Sequence, residues 1–303
     1  MFDKQVVTSP WKTYGVLAIG VFTTSLAAIL IRLAQGENVP SLAIAAARLL
    51  IAALILSPIA LRRYHTSLRQ ITGRDLSLAG LSGVFLAIHF ATWVESLKHT
   101  TVLISLVLLT TSPIWVGLLE VFVLKQRLSR LIVIGLMVAL AGGIIIGTAG
   151  VDPISTDSVP VLGSLLALAG AITFAVYITI GRKLRGKLPV IPYIWLVYGC
   201  AAIILSCAVL VSGIPVYGYS ARSYLWLIAL ALIPQLVGHS SLNYAVGFLP
   251  ATYVTIAIQL EPVASALFAF FLFREVPGSF HLVGSGIILI GVMLASLGQS
   301  ASD

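Results

Sequence analysis

Two stretches of this chain, beginning at Ser112 and at Glu261, carry one pattern. The first reads Ser112-Pro113, eleven mostly apolar residues, Lys125-Gln126, then Gly135 and Gly142. The second reads Glu261-Pro262, eleven apolar residues, Arg274-Glu275, then Gly284 and Gly291. Proline, basic residue and both glycines keep a single offset of 149 residues. The unit so repeated holds five apolar runs, an odd number, so its copy must enter the membrane from the opposite side. Two halves of inverted topology are typical of secondary transporters, in which one half rocks against the other around a central site.

Composition agrees with a membrane-embedded chain. Of its 303 residues 59% are hydrophobic and 9% charged, where soluble domains carry about 25% charged residues. Runs of about 20 apolar residues, the length that crosses a ~30 Å hydrocarbon core, occupy ten segments of the sequence. They cover 14–34, 42–61, 76–97, 101–124, 131–148, 161–181, 190–211, 224–246, 251–273 and 280–298. The expected fold is an all-α polytopic membrane protein, ten transmembrane helices in two inverted five-helix repeats, 14–148 and 161–298. The first span precedes nine others and lacks a convincing cleavage site, so it reads as a retained helix and not as a signal peptide.

The net charge of +8 does not describe a nucleic-acid surface, because of where it falls. With the N-terminus inside, thirteen of the eighteen basic residues, including Arg62, Arg63, Arg69, Arg74 and Arg182 to Lys187, lie in cytoplasmic segments. The positive-inside rule then predicts an N-in, C-in orientation, in the inner membrane of the cell. The two cysteines, Cys200 and Cys207, are two turns apart on one span, too far for a disulfide, and are expected to face lipid or pack.

Small residues at Ala43, Ala45, Ala46 and Ala47, and at Ala264, Ser265, Ala266 and Ala269, let helix backbones approach closely where lipid offers no hydrophobic drive. Pro113 and Pro262 each remove a helical hydrogen bond and are expected to break their helices, as static kinks or as hinges.

Polar residues inside the spans carry the functional signal, because each is costly in hydrocarbon. His89 and Trp93 are four apart, hence on one helix face. Gln235, His239 and Asn243 repeat that spacing, and His89 maps on His239 and Trp93 on Asn243 at an offset of 150. Two such faces would enclose one central cavity. These five residues are the expected substrate contacts. Two histidines without a carboxylate or cysteine at ligand spacing do not make a metal site. Glu261 lies ten residues into its span, about 15 Å deep, a position suited to a proton relay or a substrate ammonium, or to capping the broken helix. Its counterpart in the first half is Ser112. Arg48 is a buried charge expected to pair with Glu95 or Glu261, and Glu120 is expected in an ion pair at the surface beside Lys125 to Arg130.

The Pro40 to Arg48 spacing, Ser112-Pro113, Glu261-Pro262, and Arg274-Glu275 followed by Gly284 and Gly291 together resemble the EamA family of the drug/metabolite transporter superfamily. The runs His89 to Trp93 and Gly238 to Asn243 resemble one bacterial subgroup of it. The resemblance implies ten helices in two inverted repeats around a central cavity, and movement of small metabolites, often export of amino acids or related compounds. Gln126 departs from the pattern, standing where the family often has the glutamate represented here by Glu275.

The expected activity is secondary transport of a small metabolite by alternating access, without cofactor, since the phosphate-binding pattern Gly-x-x-x-x-Gly-Lys-Ser/Thr is absent. The partners implied are a small-molecule substrate and the lipid bilayer, not nucleic acid. A facilitative channel or a non-transporting receptor or assembly subunit is the alternative. An enzyme is not expected, because no nucleophile and base are paired.

Overall fold

The computed structural model describes residues 10–100, 102–125, 127–147, 160–261, 263–264, 268 and 278–300. Gln126, Pro262, Ser265, Ala266, Ala269, Arg274 and Glu275 lie outside the described residues. The secondary structure of the described residues is helical, as an apolar chain in lipid requires, since each backbone N–H and C=O must find its partner within the segment. Seven helical spans are long and apolar enough to cross a membrane: Trp11–Gly36, Ser41–Arg63, Gly73–His99, Ser105–Phe122, Val161–Arg185, Val190–Val211 and Ala221–Ala245. Two shorter apolar helices cover Arg130–Ile145 and Leu282–Gly298.

Several of these spans are interrupted. The first consists of α1 (Pro10–Thr24) and α2 (Ala27–Gly36), parted at Ser25 and Leu26. The helices α3 (Ser41–Arg63), α4 (His65–Arg69) and α5 (Gly73–His99) follow, and then α6 (Val102–Leu109) and α7 (Ser112–Phe122) form one span broken at Thr110 and Thr111. Pro113 therefore stands in the first turn of α7, where a missing N–H costs little, and not in the middle of a continuous helix. The Ile114 amide donates to Thr111 O at 2.9 Å, so the carbonyl of Thr110 is left without a helical partner.

Three unbroken helices, α8 (Arg130–Gly147), α9 (Pro160–Arg185) and α10 (Val190–Val211), lead to α11 (Ala221–Leu230), a π-helical segment (Ala231–His239) and α12 (Ser240–Ala245). Pro234 lies inside the π-helical segment. It has no N–H to give and its ring crowds the carbonyl four residues back, a conflict that the wider i→i+5 turn relieves. The remaining described helices are α13 (Ala251–Ile258) and α14 (Ser279–Ser300).

The repeated glycines meet each other. A Cβ on Gly135 would lie 2.5 Å from Gly291 O, and one on Gly142 2.7 Å from Gly284 O, so only hydrogen fits at these crossings. As α8 advances from 135 to 142, its partner retreats from 291 to 284, which makes α8 and α14 antiparallel at backbone contact. At the far end of the bundle, Arg182 Nη1 donates to Val246 O at 3.0 Å and Arg185 Nε to Asn243 O at 3.0 Å. These cations at the C-terminus of α12 satisfy carbonyls that the ending helix leaves open.

Two sequence expectations are corrected by packing. Glu120 is not in a surface ion pair: it is fully buried and accepts from Ala251 N at 2.7 Å, Thr252 N at 3.1 Å and Thr252 Oγ1 at 2.6 Å. The carboxylate caps the N-terminus of α13, where free amides and the helix dipole favour a negative charge. Arg48 does not pair with Glu95, which binds His99 at 2.9 Å; its Nε donates to Gln235 Oε1 at 3.0 Å.

Candidate functional site

The candidate site lies where the interrupted helices converge. A cavity of about 40 Å³ is lined by Thr24 and Ala27 at the first break, His89 and Trp93 of α5, Thr110 and Ser112 at the α6–α7 break, Phe174 of α9, His239, and Thr255, Gln259 and Glu261 at the end of α13. Helix breaks and a proline-containing π turn thus supply its polar backbone and side-chain atoms, as membrane-depth irregularities do when they face a cavity. The volume admits no more than a few water molecules, given that one water needs roughly 10–15 Å³ on this measure.

Four aromatic rings, His89, Trp93, Phe174 and His239, form one wall, with Phe90 packed behind them. The His89 ring stacks on Trp93, with centroids 5.8 Å apart and 14° between planes, and sits 5.1 Å from Phe174 and 6.4 Å from His239. Phe90 lies 5.1 Å from His239, nearly edge-on. His89 Nδ1 bonds Gly170 O at 2.9 Å. Because a carbonyl only accepts, Nδ1 carries the proton, and in the neutral ring Nε2 is left as an acceptor. Gly170 makes this bond possible by bringing α9 against α5, since a Cβ there would already lie 3.3 Å from Trp93 Cβ.

Several groups in and around the cavity are buried without a hydrogen-bond partner among the described residues: Trp93 Nε1, His239 Nδ1 and Gln259 Oε1. Unsatisfied buried polar atoms are uncommon in native proteins and call for a physical reason; one donor, one tautomer-dependent nitrogen and one acceptor converging on a cavity can receive a polar solute. Glu261 adds a carboxylate, beside the Thr24 hydroxyl and with Arg48 as the neighbouring cation.

Behind this wall sits Arg48, fully buried. Its guanidinium carbon lies 4.0 Å over the Phe90 ring, a cation–π contact, and Nη1 and Nη2 have no hydrogen-bond partner among the described residues.

The structure divides the sequence-expected residues. His89, Trp93, His239 and Glu261 line the cavity together, whereas Gln235 and Asn243 do not. Gln235 binds Arg48. Asn243 donates to the Tyr177 hydroxyl and to His239 O at 2.7 Å, one layer deeper. The spacing of four assumed an α-helix, and the π turn changes the rotational phase between Gln235 and His239. Thr24 and Phe174 also line the cavity and carry no signal in the sequence; Phe174 reads as an ordinary apolar residue of its span, and Thr24 precedes a break without Pro or Gly to signal it.

Residues 11–148 and 161–297 match the model of the EamA-like transporter family. The chain belongs to that family. Among relatives of this EamA chain is an uncharacterized transporter of Archaeoglobus fulgidus, 26% identical over 74% of this chain and 76% of that protein. Another is a probable terminal-alkyne amino-acid exporter of Streptantibioticus cattleyicolor, 27% identical over 75% of each. A solved protein crystal structure shares the fold, with a TM-score of 0.78 at 18% identity, covering 97% of this chain and 100% of that one. EamA membership places the protein among membrane transporters and not among enzymes. Among the described residues no three His, Cys, Asp or Glu side chains gather as metal ligands.

Proposed function

We propose that this protein is a secondary transporter that moves a small polar or amphipathic metabolite, an amino acid or a related compound, outward by alternating access. The observation that carries the reading is the meeting of His89 and His239, rings 6.4 Å apart, at equivalent positions of the two repeats. A group shared by both halves at one cavity is what a rocking mechanism needs. The printed activity of the Streptantibioticus relative, amino-acid export, supports the solute class.

The proposed architecture is ten helices in two inverted repeats, N-in and C-in, in the inner membrane. Its support is the glycine crossing: the equivalent helices α8 and α14 are antiparallel, and the contact of Gly135 with Gly291 is turned by the repeat into that of Gly284 with Gly142. The basic segments favour the orientation.

In this reading Trp93, His89 and His239 hold the solute, and Glu261 supplies charge for coupling or for a substrate ammonium. Gln235 and Asn243 belong to the supporting layer, and Pro113 marks a break about which the halves move; Pro262, outside the described residues, is proposed as the second hinge on its sequence position. The cavity of about 40 Å³ corresponds to a contracted state, and Glu120 on the α13 N-terminus ties the halves together at one end.

Counterflow in proteoliposomes tests the activity. Vesicles loaded with an unlabelled amino acid from a broad panel should accumulate the labelled compound transiently and with saturation. Absence of counterflow across the panel, or flux that rises linearly with concentration, would refute the carrier reading.

A further inference from the structure

A second concavity lies on the outer surface of the bundle, between α3, α5 and α10, and shares no lining residue with the central cavity. It is an open groove of about 520 Å³, within the ~300–1,000 Å³ typical of small-ligand pockets. Its origin is two glycines. A Cβ added to Gly80 or to Gly199 would meet nothing within 4 Å, although α5 and α10 touch one turn away, where a Cβ on Gly83 would lie 2.6 Å from Cys200 Cβ. The same helix pair is therefore closed at Gly83 and left hollow beside it. The walls are apolar, with Leu54 61% and Leu76 51% exposed, a surface suited to acyl chains in a bilayer.

One end of the groove has a different character. Trp195 Nε1 donates to Ser57 Oγ at 2.9 Å, which marks where α10 begins beside the last turns of α3. Arg62 and Arg63 end α3 five and six residues beyond Ser57, within about 9 Å along the axis. Arg74 stands two residues before Leu76 in the first turn of α5. All three arginines are exposed, and the ion pairs formed by the described residues do not include them. The one acidic group of that turn, Asp75, forms its ion pair with Lys187 at 3.0 Å, and of the three arginines it interacts electrostatically with Arg74.

We propose that this groove binds a phospholipid with an anionic headgroup, one acyl chain lying along Gly80 and Gly199 and the phosphate facing Arg62, Arg63 and Arg74. An apolar trough that ends in exposed guanidinium groups matches both halves of such a molecule. A zwitterionic lipid would fill the trough equally but gain less from the arginines, each basic residue near a membrane surface being worth about 1 kcal/mol toward anionic lipid.

The test is native mass spectrometry of the full chain released from micelles containing equal amounts of phosphatidylglycerol and phosphatidylethanolamine. The wild-type protein should retain one phosphatidylglycerol with roughly tenfold or greater preference. Gly80→Leu with Gly199→Leu, at positions where an added Cβ meets nothing within 4 Å, narrows the trough and should abolish retention. The exposed triple change Arg62→Gln, Arg63→Gln, Arg74→Gln should keep a lipid and lose the headgroup preference. With Cys207→Ser, Cys200 is the single thiol of the chain, and its maleimide labelling should slow when phosphatidylglycerol is added. Equal retention of both lipids by the wild type, or undiminished retention by the narrowed variant, would overturn the proposal. So would a change of oligomeric state in the narrowed variant at unchanged lipid content, because the groove would then seat a second copy of the chain.

Discussion

Gln259 Nε2 donates to Thr110 O at 2.9 Å, and the two residues stand at one position of the 149-residue repeat. Thr110 O is the carbonyl that the α6–α7 break releases, and Gln259 lies at the turn that ends α13. One helix break thus supplies the acceptor and its counterpart the donor, beside the cavity that both line.

Gln259→Leu should therefore destabilise the protein through Thr110, by about 1–3 kcal/mol for a buried carbonyl left unsatisfied. Thermal unfolding in detergent checks this. An unchanged midpoint would mean that the Thr110 carbonyl finds another partner.

Glu120 fastens α7 to the first turn of α13. Replacing it with Ala removes an acceptor from two backbone amides and one hydroxyl, and cap removal typically costs about 0.5–2 kcal/mol. Hydrogen exchange at Ala251 and Thr252 should accelerate in Glu120→Ala and much less in Glu120→Gln, which keeps one acceptor oxygen.

The glycine crossing makes a sharper contrast. Gly291→Ala would put a methyl group 2.6 Å from Ala139 N, and overpacking of this kind costs about 1–3 kcal/mol. Gly286, on the same helix, has nothing within 4 Å of a new Cβ, so Gly286→Ala should be neutral or stabilising by virtue of helix propensity. Equal effects at the two positions would remove the crossing as a packing constraint.

Much of this arrangement was legible in the sequence, and the failures have physical causes. The repeat offset of 149 pairs Gly135 with Gly284, and an offset of 150, one residue away, pairs His89 with His239, the two rings that the structure brings to 6.4 Å. Glu261 showed itself by depth alone. Glu120 was misread because apolar periodicity gives a residue's height in the membrane and not the helix end that faces it; its partners are backbone amides 131 and 132 residues away. Of the two carboxylates expected on charge, Glu95 is taken by His99 and Glu261 is the electrostatic neighbour of Arg48, whose direct contacts are an amide oxygen and an aromatic face. Gln235 was turned out of the cavity by a π segment that four-residue spacing does not anticipate.

Arg48 and Gln235 also yield a prediction about coupling. Gln235→Leu removes the hydrogen bond that the buried guanidinium donates to Gln235 Oε1, and a hydrogen bond to a charged group is worth about 1.5–3 kcal/mol. Arg48→Met combined with Gln235→Leu removes the charge as well and should recover a large part of that loss. A double-mutant cycle on unfolding free energies checks it, and strict additivity would show that the two side chains do not act as a pair.

The central claim is that solute is held between His89, Trp93 and His239. Its most direct measurement is counterflow by Trp93→Ala and His239→Ala proteoliposomes, with each variant shown to be folded by its unfolding midpoint. The account predicts a raised half-saturation concentration or a lost exchange signal in both variants for the substrate that the wild type carries. Unchanged rate and half-saturation in both, for several substrates, would contradict it.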